Sequence, residues 1–203
     1  MQISVEFVTS AAGHGDFPTD RLAEVAFVGR SNVGKSSLIN ALVRQTVARA
    51  SAAPGKTRLA NFYRVKRGAT PASYLVDLPG YGYARGGDAS AREFNRLTDA
   101  YLDRARSPAR PDGLRIGVLL LVDARHPGLE SDLEAWQWLG SQPCARAVVG
   151  TKGDKLSRAE RERHGRAFHS AFDCPVPLVS AHTGEGLDEL WKMIANLPSQ
   201  AAA

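Results

Sequence analysis

The run Gly29-Arg30-Ser31-Asn32-Val33-Gly34-Lys35-Ser36 has the spacing G-x-x-x-x-G-K-S, which suits one task, holding a chain of phosphates. Glycine at 29 and 34 permits backbone angles that a side chain would forbid, so successive N–H groups can converge on phosphate oxygens. Lys35 supplies a point charge for the β- and γ-phosphates, and Ser36 offers a hydroxyl to Mg²⁺. The flanks fit this reading. Val25-Ala26-Phe27-Val28 is a short apolar run that predicts a buried strand, and Ser37 to Val43 carries apolar residues at helical spacing. A helix starting at this point adds its positive dipole end to the cradle.

Further chemistry lies downstream. Asp77-Leu78-Pro79-Gly80 follows the apolar run Tyr74 to Val76; an acidic residue there can hold Mg²⁺ through water, and the Gly80 amide can sense a γ-phosphate. Thr151-Lys152-Gly153-Asp154 follows another aliphatic run. The Asp154 carboxylate can accept from guanine N1–H and the exocyclic amine together, a donor pair that adenine lacks. A buried carboxylate facing adenine would go unpaired, so the mismatch discriminates strongly. The Lys152 stem can cover one face of the base. Ser180-Ala181-His182 offers a backbone N–H for the guanine O6, with His182 read as a solvent-facing loop residue. Pro54-Gly55-Lys56-Thr57 places a threonine on a glycine-bearing loop that can close over Mg²⁺ and γ-phosphate, as in an order–disorder switch. Each of these short motifs is weak alone; their order after strands gives them weight.

These loops must be held by alternating strands and helices, the signature of a doubly wound α/β sheet of three layers, mainly parallel, with one antiparallel edge strand. Asn61 to Lys66 alternates apolar and polar residues and predicts that edge strand. Ser73 to Asp77, Arg115 to Asp123, Arg146 to Gly150 and Val176 to Ser180 complete the set. Phe94, Leu97, Tyr101 and Leu102 give one helix face within 91–106, and Leu129, Leu133, Trp136 and Leu139 give the next. Ser157 with Glu160 forms a capping-box pattern. Leu187, Leu190, Trp191, Ile194 and Leu197 stripe the last helix. Residues 1–20 are expected to form a strand (Ile3 to Val8) and an irregular arm, and residues 21–200 a single domain.

Bulk properties set the outer bounds. The chain has 203 residues, 43% hydrophobic and 23% charged, ordinary globular material for one domain. Its longest apolar run, Ile116 to Val122, falls far short of the ~20 residues a membrane span needs. The first twenty residues lack Lys and Arg, which argues against a signal or transit peptide. Cys144 and Cys174 have neither metal-ligand spacing nor a partner framework. Net charge is +5, with arginine concentrated from Arg85 to Arg115 and from Arg158 to Arg166. Solvated helix faces and a polyanion-binding surface both account for that charge.

Taken together, Ala26–Leu42, Pro54–Thr57, Asp77–Ala84 (D-L-P-G-Y-G-Y-A), Asp123–Pro127 (D-A-R-H-P), Thr151–Lys155 and Ser180–His182 resemble the bacterial EngB family of ribosome-biogenesis GTP-binding proteins, P-loop GTPases. The resemblance spans most of the chain, and the chain's length fits a lone GTPase domain. It implies a cytoplasmic GTPase that uses GTP/GDP and Mg²⁺ and assists assembly of the large ribosomal subunit, through its rRNA and ribosomal proteins, with a link to cell division and septation. It implies no DNA or membrane partner. With no heptad pattern or long edge strand in view, a monomer is expected. By motif match, nucleotide contacts fall on Gly29, Arg30, Ser31, Asn32, Val33, Gly34, Lys35 and Ser36. They fall also on Gly55, Lys56, Thr57, Arg58 and Leu59, and on Asp77, Leu78, Pro79 and Gly80. The base-side contacts are Thr151, Lys152, Gly153, Asp154, Val179, Ser180 and Ala181. Magnesium falls on Ser36 and Thr57. Two departures stand out: Gly153 where relatives more often carry alanine, and Lys56-Thr57-Arg58 where Arg-Thr-Gln is more usual.

The position after D-L-P-G holds Tyr81, where Ras-like enzymes place a glutamine that orients the attacking water. A phenol cannot do that job there, so slow intrinsic hydrolysis is expected. Lys35 and Thr57 are the remaining catalytic candidates. Asn32 matches an asparagine that helps hold K⁺ in potassium-activated relatives, which makes K⁺ a candidate substitute for the missing charge. Two rival classes, a small-molecule kinase and a septum adaptor, leave Thr151–Asp154 or hydrolysis without a use.

Overall fold

The computed structural model describes residues 2–48, 59–81, 96–106 and 114–202. Six strands form one sheet: β1 (Ile3–Ala11), β2 (Ala23–Gly29), β3 (Ala60–Arg67), β4 (Ser73–Asp77), β5 (Ile116–Asp123) and β6 (Ala145–Thr151), in the order β1-β3-β4-β2-β5-β6. Strands β4, β2, β5 and β6 are parallel neighbours, and β3 runs antiparallel to β4 and to β1. The helices are α1 (Lys35–Val43), α2 (helical over residues 96–102), α3 (Glu130–Gly140), α4 (Arg158–Phe172) and α5 (Leu187–Asn196).

Period-two burial explains the layers. In β2, Ala26 and Val28 join one core with Leu97, Tyr101, Leu139, Phe168 and Phe172, from α2, α3 and α4. Val25 and Phe27 turn to the other face, where Leu38, Ile39, Leu42, Leu190 and Trp191 bring in α1 and α5. Strand β5 divides the same way, Ile116, Val118, Leu120 and Val122 against Leu119 and Leu121. Apolar runs buried on both faces are what a parallel sheet demands, and the doubly wound fold is the one expected.

Three details differ from the sequence reading. The reversed strand β3 does not lie at the edge, because β1 pairs along its whole length. Alternation in Asn61–Lys66 reports one wet face, as exposed Arg64 and Lys66 show, and not a free edge. The edge strand β1 is thus nine residues long, against the expectation of no long edge strand. A register shift between Phe7 and Thr9 breaks its pairing, and Phe7 and Val8 are exposed beside it; such irregularity blunts edge-to-edge association. Finally, Val176–Ser180 contributes a single bridge, Leu178 to Gly150. Prolines at 175 and 177 remove two donors, so a full ladder cannot form.

Candidate functional site

The loops after β2, β4, β5 and β6 all leave the same rim of the sheet, the carboxyl ends where open α/β sheets bind ligands. The phosphate-loop sequence turns directly from β2 into α1. Gly34 caps the helix at φ +107° and Asn32 also adopts a left-handed conformation, φ +64°. Gly29 needs glycine for space and not for angle, contrary to the sequence reading: a Cβ there would lie 2.7 Å from the Leu121 carbonyl oxygen. Two loop amides are already engaged, Ser31 N–H with the Tyr81 carbonyl (3.1 Å) and Val33 N–H with the Arg30 carbonyl (3.2 Å).

Charge is buried at this rim. Lys35 is buried, its Nζ 3.3 Å from the Gly29 carbonyl. Burial lowers its pKa, and the charge of Asp77 opposes that shift. The Ser36 hydroxyl donates to Asp77 Oδ2 at 2.9 Å, while Asp77 Oδ1, also buried, has no hydrogen-bond partner among the described residues. Burial pushes the Asp77 carboxyl up, against Lys35 and Ser36. A buried carboxylate oxygen left unpaired costs free energy. Set beside a serine hydroxyl and a helix N-terminus, this one fits a divalent cation carried by phosphates. The Asp77–Gly80 loop lies so close that a Cβ on Gly80 would fall 2.9 Å from Lys35 Nζ and 3.0 Å from the Ser31 nitrogen. Leu78 and Pro79 are buried, so their role is to seat this loop.

The base end is tied to the phosphate end. Lys152, itself left-handed at φ +61°, sends Nζ to the Asn32 carbonyl (2.8 Å) and to Asp123 Oδ2 (3.0 Å). Burial raises the Asp123 pKa, but bonds from Arg125 and Lys152 outweigh this and hold it well below the usual range. The Thr151 hydroxyl lies 2.7 Å from the Val33 carbonyl and 3.1 Å from that of Val122, so it pins the phosphate loop. Asp154 Oδ1 accepts from the Ser180 hydroxyl at 2.7 Å, the main cause of its lowered pKa. Val179 is buried, its N–H given to the Gly150 carbonyl (2.8 Å) and its carbonyl taken by Gly153 N–H (3.0 Å). Val179 and Gly153 therefore support the site from below, and Ala181 and exposed His182 follow at the surface.

Leu59 is exposed at the entry to β3. Gly55, Lys56, Thr57 and Arg58 lie outside the described residues, as do Arg85, Arg92 and Arg110. Three participants escaped the sequence reading. Asp132, buried in the first turn of α3, accepts the Tyr81 hydroxyl at 2.9 Å. Burial, then Asp132, drives the Tyr81 pKa far upward. Asp123 was visible only as part of D-A-R-H-P, and Arg161 only as a charge on a helix.

Comparison with known proteins agrees with this geometry. Residues 24–150 match the family model described as 50S ribosome-binding GTPase. A probable GTP-binding protein EngB of Symbiobacterium thermophilum is 40% identical, over 96% of this chain and 95% of its own length. Another, from Pelotomaculum thermopropionicum, is 42% identical over 94% and 93%. Among solved structures, a probable GTP-binding protein engB superposes with TM-score 0.62 at 23% identity, over 88% of this chain and all of its own. Era in complex with MgGDPNP and a segment of 16S ribosomal RNA gives 0.69 at 26%, covering 86% of this chain and 56% of Era. NFeoB from S. thermophilus, bound to GDP·AlF4⁻ and K⁺, gives 0.64 at 21%, over 90% and 64%.

Proposed function

Because this chain belongs to the EngB family of GTP-binding proteins, we propose that it is a slow, Mg²⁺-dependent GTPase switch assisting assembly of the large ribosomal subunit. Normal cell division and septation would follow from that role, and the protein acts as a cytoplasmic monomer. The observation that carries the nucleotide reading is the Lys152 bridge, whose Nζ reaches the Asn32 carbonyl at 2.8 Å. A base-recognition loop and a phosphate loop are joined by it into one cleft. Phosphates sit on the amides of Asn32 and of Gly34 to Ser36 with Lys35 beside them, and guanine sits between Asp154 and the Ala181 amide. By motif match Ser36 and Thr57 would hold Mg²⁺, with Asp77 supporting it, and the ion would offset charge on the β- and γ-phosphates.

Slow turnover is supported by Tyr81, which stands where Ras-like enzymes place a glutamine and whose hydroxyl donates to Asp132 at 2.9 Å. Asn32, exposed within the phosphate loop, is the residue we assign to K⁺. NFeoB offers a precedent of the same fold holding K⁺ with GDP·AlF4⁻. A chain of net charge +5 supports an RNA-rich partner, and Era bound to ribosomal RNA shows the fold in that company.

The test is cosedimentation with large-subunit precursors at graded salt. Binding should be stronger with a non-hydrolysable GTP analogue than with GDP and fall steeply as salt rises. Identical binding in every nucleotide state would defeat the switch, and equal hydrolysis in KCl and NaCl would remove K⁺.

A further inference from the structure

The capping box that opens α4 does more than start a helix. Ser157 accepts from Glu160 N–H, and Glu160 returns its carboxylate to Ser157 N–H at 2.8 Å. This fixes the first turn and places Arg161 there, its N–H on the Ser157 carbonyl at 3.0 Å. The guanidinium reaches back over the base-side loops. Its Nη2 lies 2.9 Å from the Gly153 carbonyl and 2.8 Å from Glu185 Oε2, while Nη1 takes the other Glu185 oxygen.

Glu185 belongs to the second loop. Its carbonyl accepts from Ser180 N–H at 3.0 Å, and the Ser180 hydroxyl returns to Asp154 Oδ1 at 2.7 Å. The path therefore closes on itself: Arg161, Gly153, Asp154, Ser180, Glu185, and back to Arg161. Two loops from different parts of the chain are locked by one planar fork, which a lysine could not reproduce.

We propose that Arg161 is a positioning residue for guanine selection, acting through the Gly153 and Glu185 contacts that set the Asp154 carboxylate against the Ala181 amide. The inference rests on the guanine reading of the site given above. Its physical basis is orientation. A carboxylate that accepts two parallel N–H bonds depends on its angle far more than one accepting a single bond. Hypoxanthine keeps the ring N–H and loses the exocyclic amine, so a misaligned Asp154 costs guanine more than hypoxanthine. As a surface ion pair, with side chains 30% and 48% exposed, Arg161–Glu185 would contribute little. The fork to a main-chain carbonyl is what gives it a role beyond stability.

The experiment is calorimetric titration of the full chain with GDP, IDP and ADP, for the wild type, Arg161→Ala, Arg161→Lys and Glu185→Gln. Arg161→Ala should weaken GDP about tenfold, weaken IDP less, and so narrow the GDP/IDP ratio, with the melting temperature little changed. Arg161→Lys keeps the charge but not the fork and should fall between, as should Glu185→Gln. Equal losses for GDP and IDP, or unchanged GDP affinity, overturn the role of Arg161 while wild-type preference for GDP over ADP stands. A wild type binding ADP as tightly as GDP overturns the guanine reading itself. Circular dichroism confirms the fold of each variant, and Arg161→Lys carries the test should Arg161→Ala not fold.

Discussion

Two buried charged sites sit at opposite ends of the central strands, and they are satisfied to different degrees. At the amino end of β2, Glu24 receives both arms of Arg104, at 3.0 and 2.9 Å, and Arg104 also donates to the Pro18 carbonyl at 2.9 Å. Its guanidinium lies 4.7 Å from the Phe17 ring centroid, so the pair closes the underside of the domain onto the segment before β2. At the carboxyl end of β4, Asp77 keeps one oxygen without a partner among the described residues, and Lys35 rests on a carbonyl. Both regions have lost water. The Glu24 carboxylate has both oxygens paired with protein, the Asp77 carboxylate only one, and the half-paired one is where a ligand is expected.

The sharpest way to break this contrast is Arg104→Ala. It strands Glu24 as an unpaired buried charge and should cost about 3–5 kcal/mol of stability, read by thermal or urea unfolding. Nucleotide affinity of the folded fraction at low temperature should not move, and replacing both partners with Glu24→Leu and Arg104→Met should recover much of the loss. A fall in GDP affinity with Arg104→Ala would show that the two ends are coupled.

Lys35→Ala should act in the opposite sense. GDP binding falls about a hundredfold, close to the ~3 kcal/mol upper end for a hydrogen bond to a charged group. The nucleotide-free melting temperature holds or rises, because a buried lysine without its phosphate costs desolvation. Scanning fluorimetry with and without GDP separates the two quantities. A lowered melting temperature without nucleotide would make Lys35 structural.

Asp77→Asn sharpens the metal half of the contrast and carries the smallest effect. In the wild type, chelating Mg²⁺ should weaken a GTP analogue about tenfold, roughly 1.4 kcal/mol. In the variant the ratio between Mg²⁺ and chelator should approach one. An unchanged ratio would mean that Asp77 takes no part in holding the ion.

Legibility along the chain followed the range of the physics. Strands β2, β4, β5 and β6 were readable because apolar runs buried on both faces leave a mark in every residue. Val176–Ser180 reads as a strand by its apolarity, but prolines 175 and 177 withhold N–H groups that a ladder needs. For β3, alternation was correctly seen but reported a wet face, and no local signal announced that β1 would cover the edge. Asp154 and Ser180 were both legible, yet nothing local said that the serine hydroxyl would hold the carboxylate. Nor does anything local say that the Thr151 hydroxyl reaches the phosphate loop, at the Val33 carbonyl.

What this sequence determined by itself is the chemistry packed into short loops, since seven consecutive peptide units after a strand fix which donors can meet a phosphate. What only the folded chain decided is pairing. Arg104 finds Glu24 eighty residues away, Tyr81 finds Asp132 fifty-one away, and Arg161 reaches Glu185 across twenty-four. The energy of a buried charge depends on ångström-scale approach between such distant groups, and residue spacing holds no record of that approach.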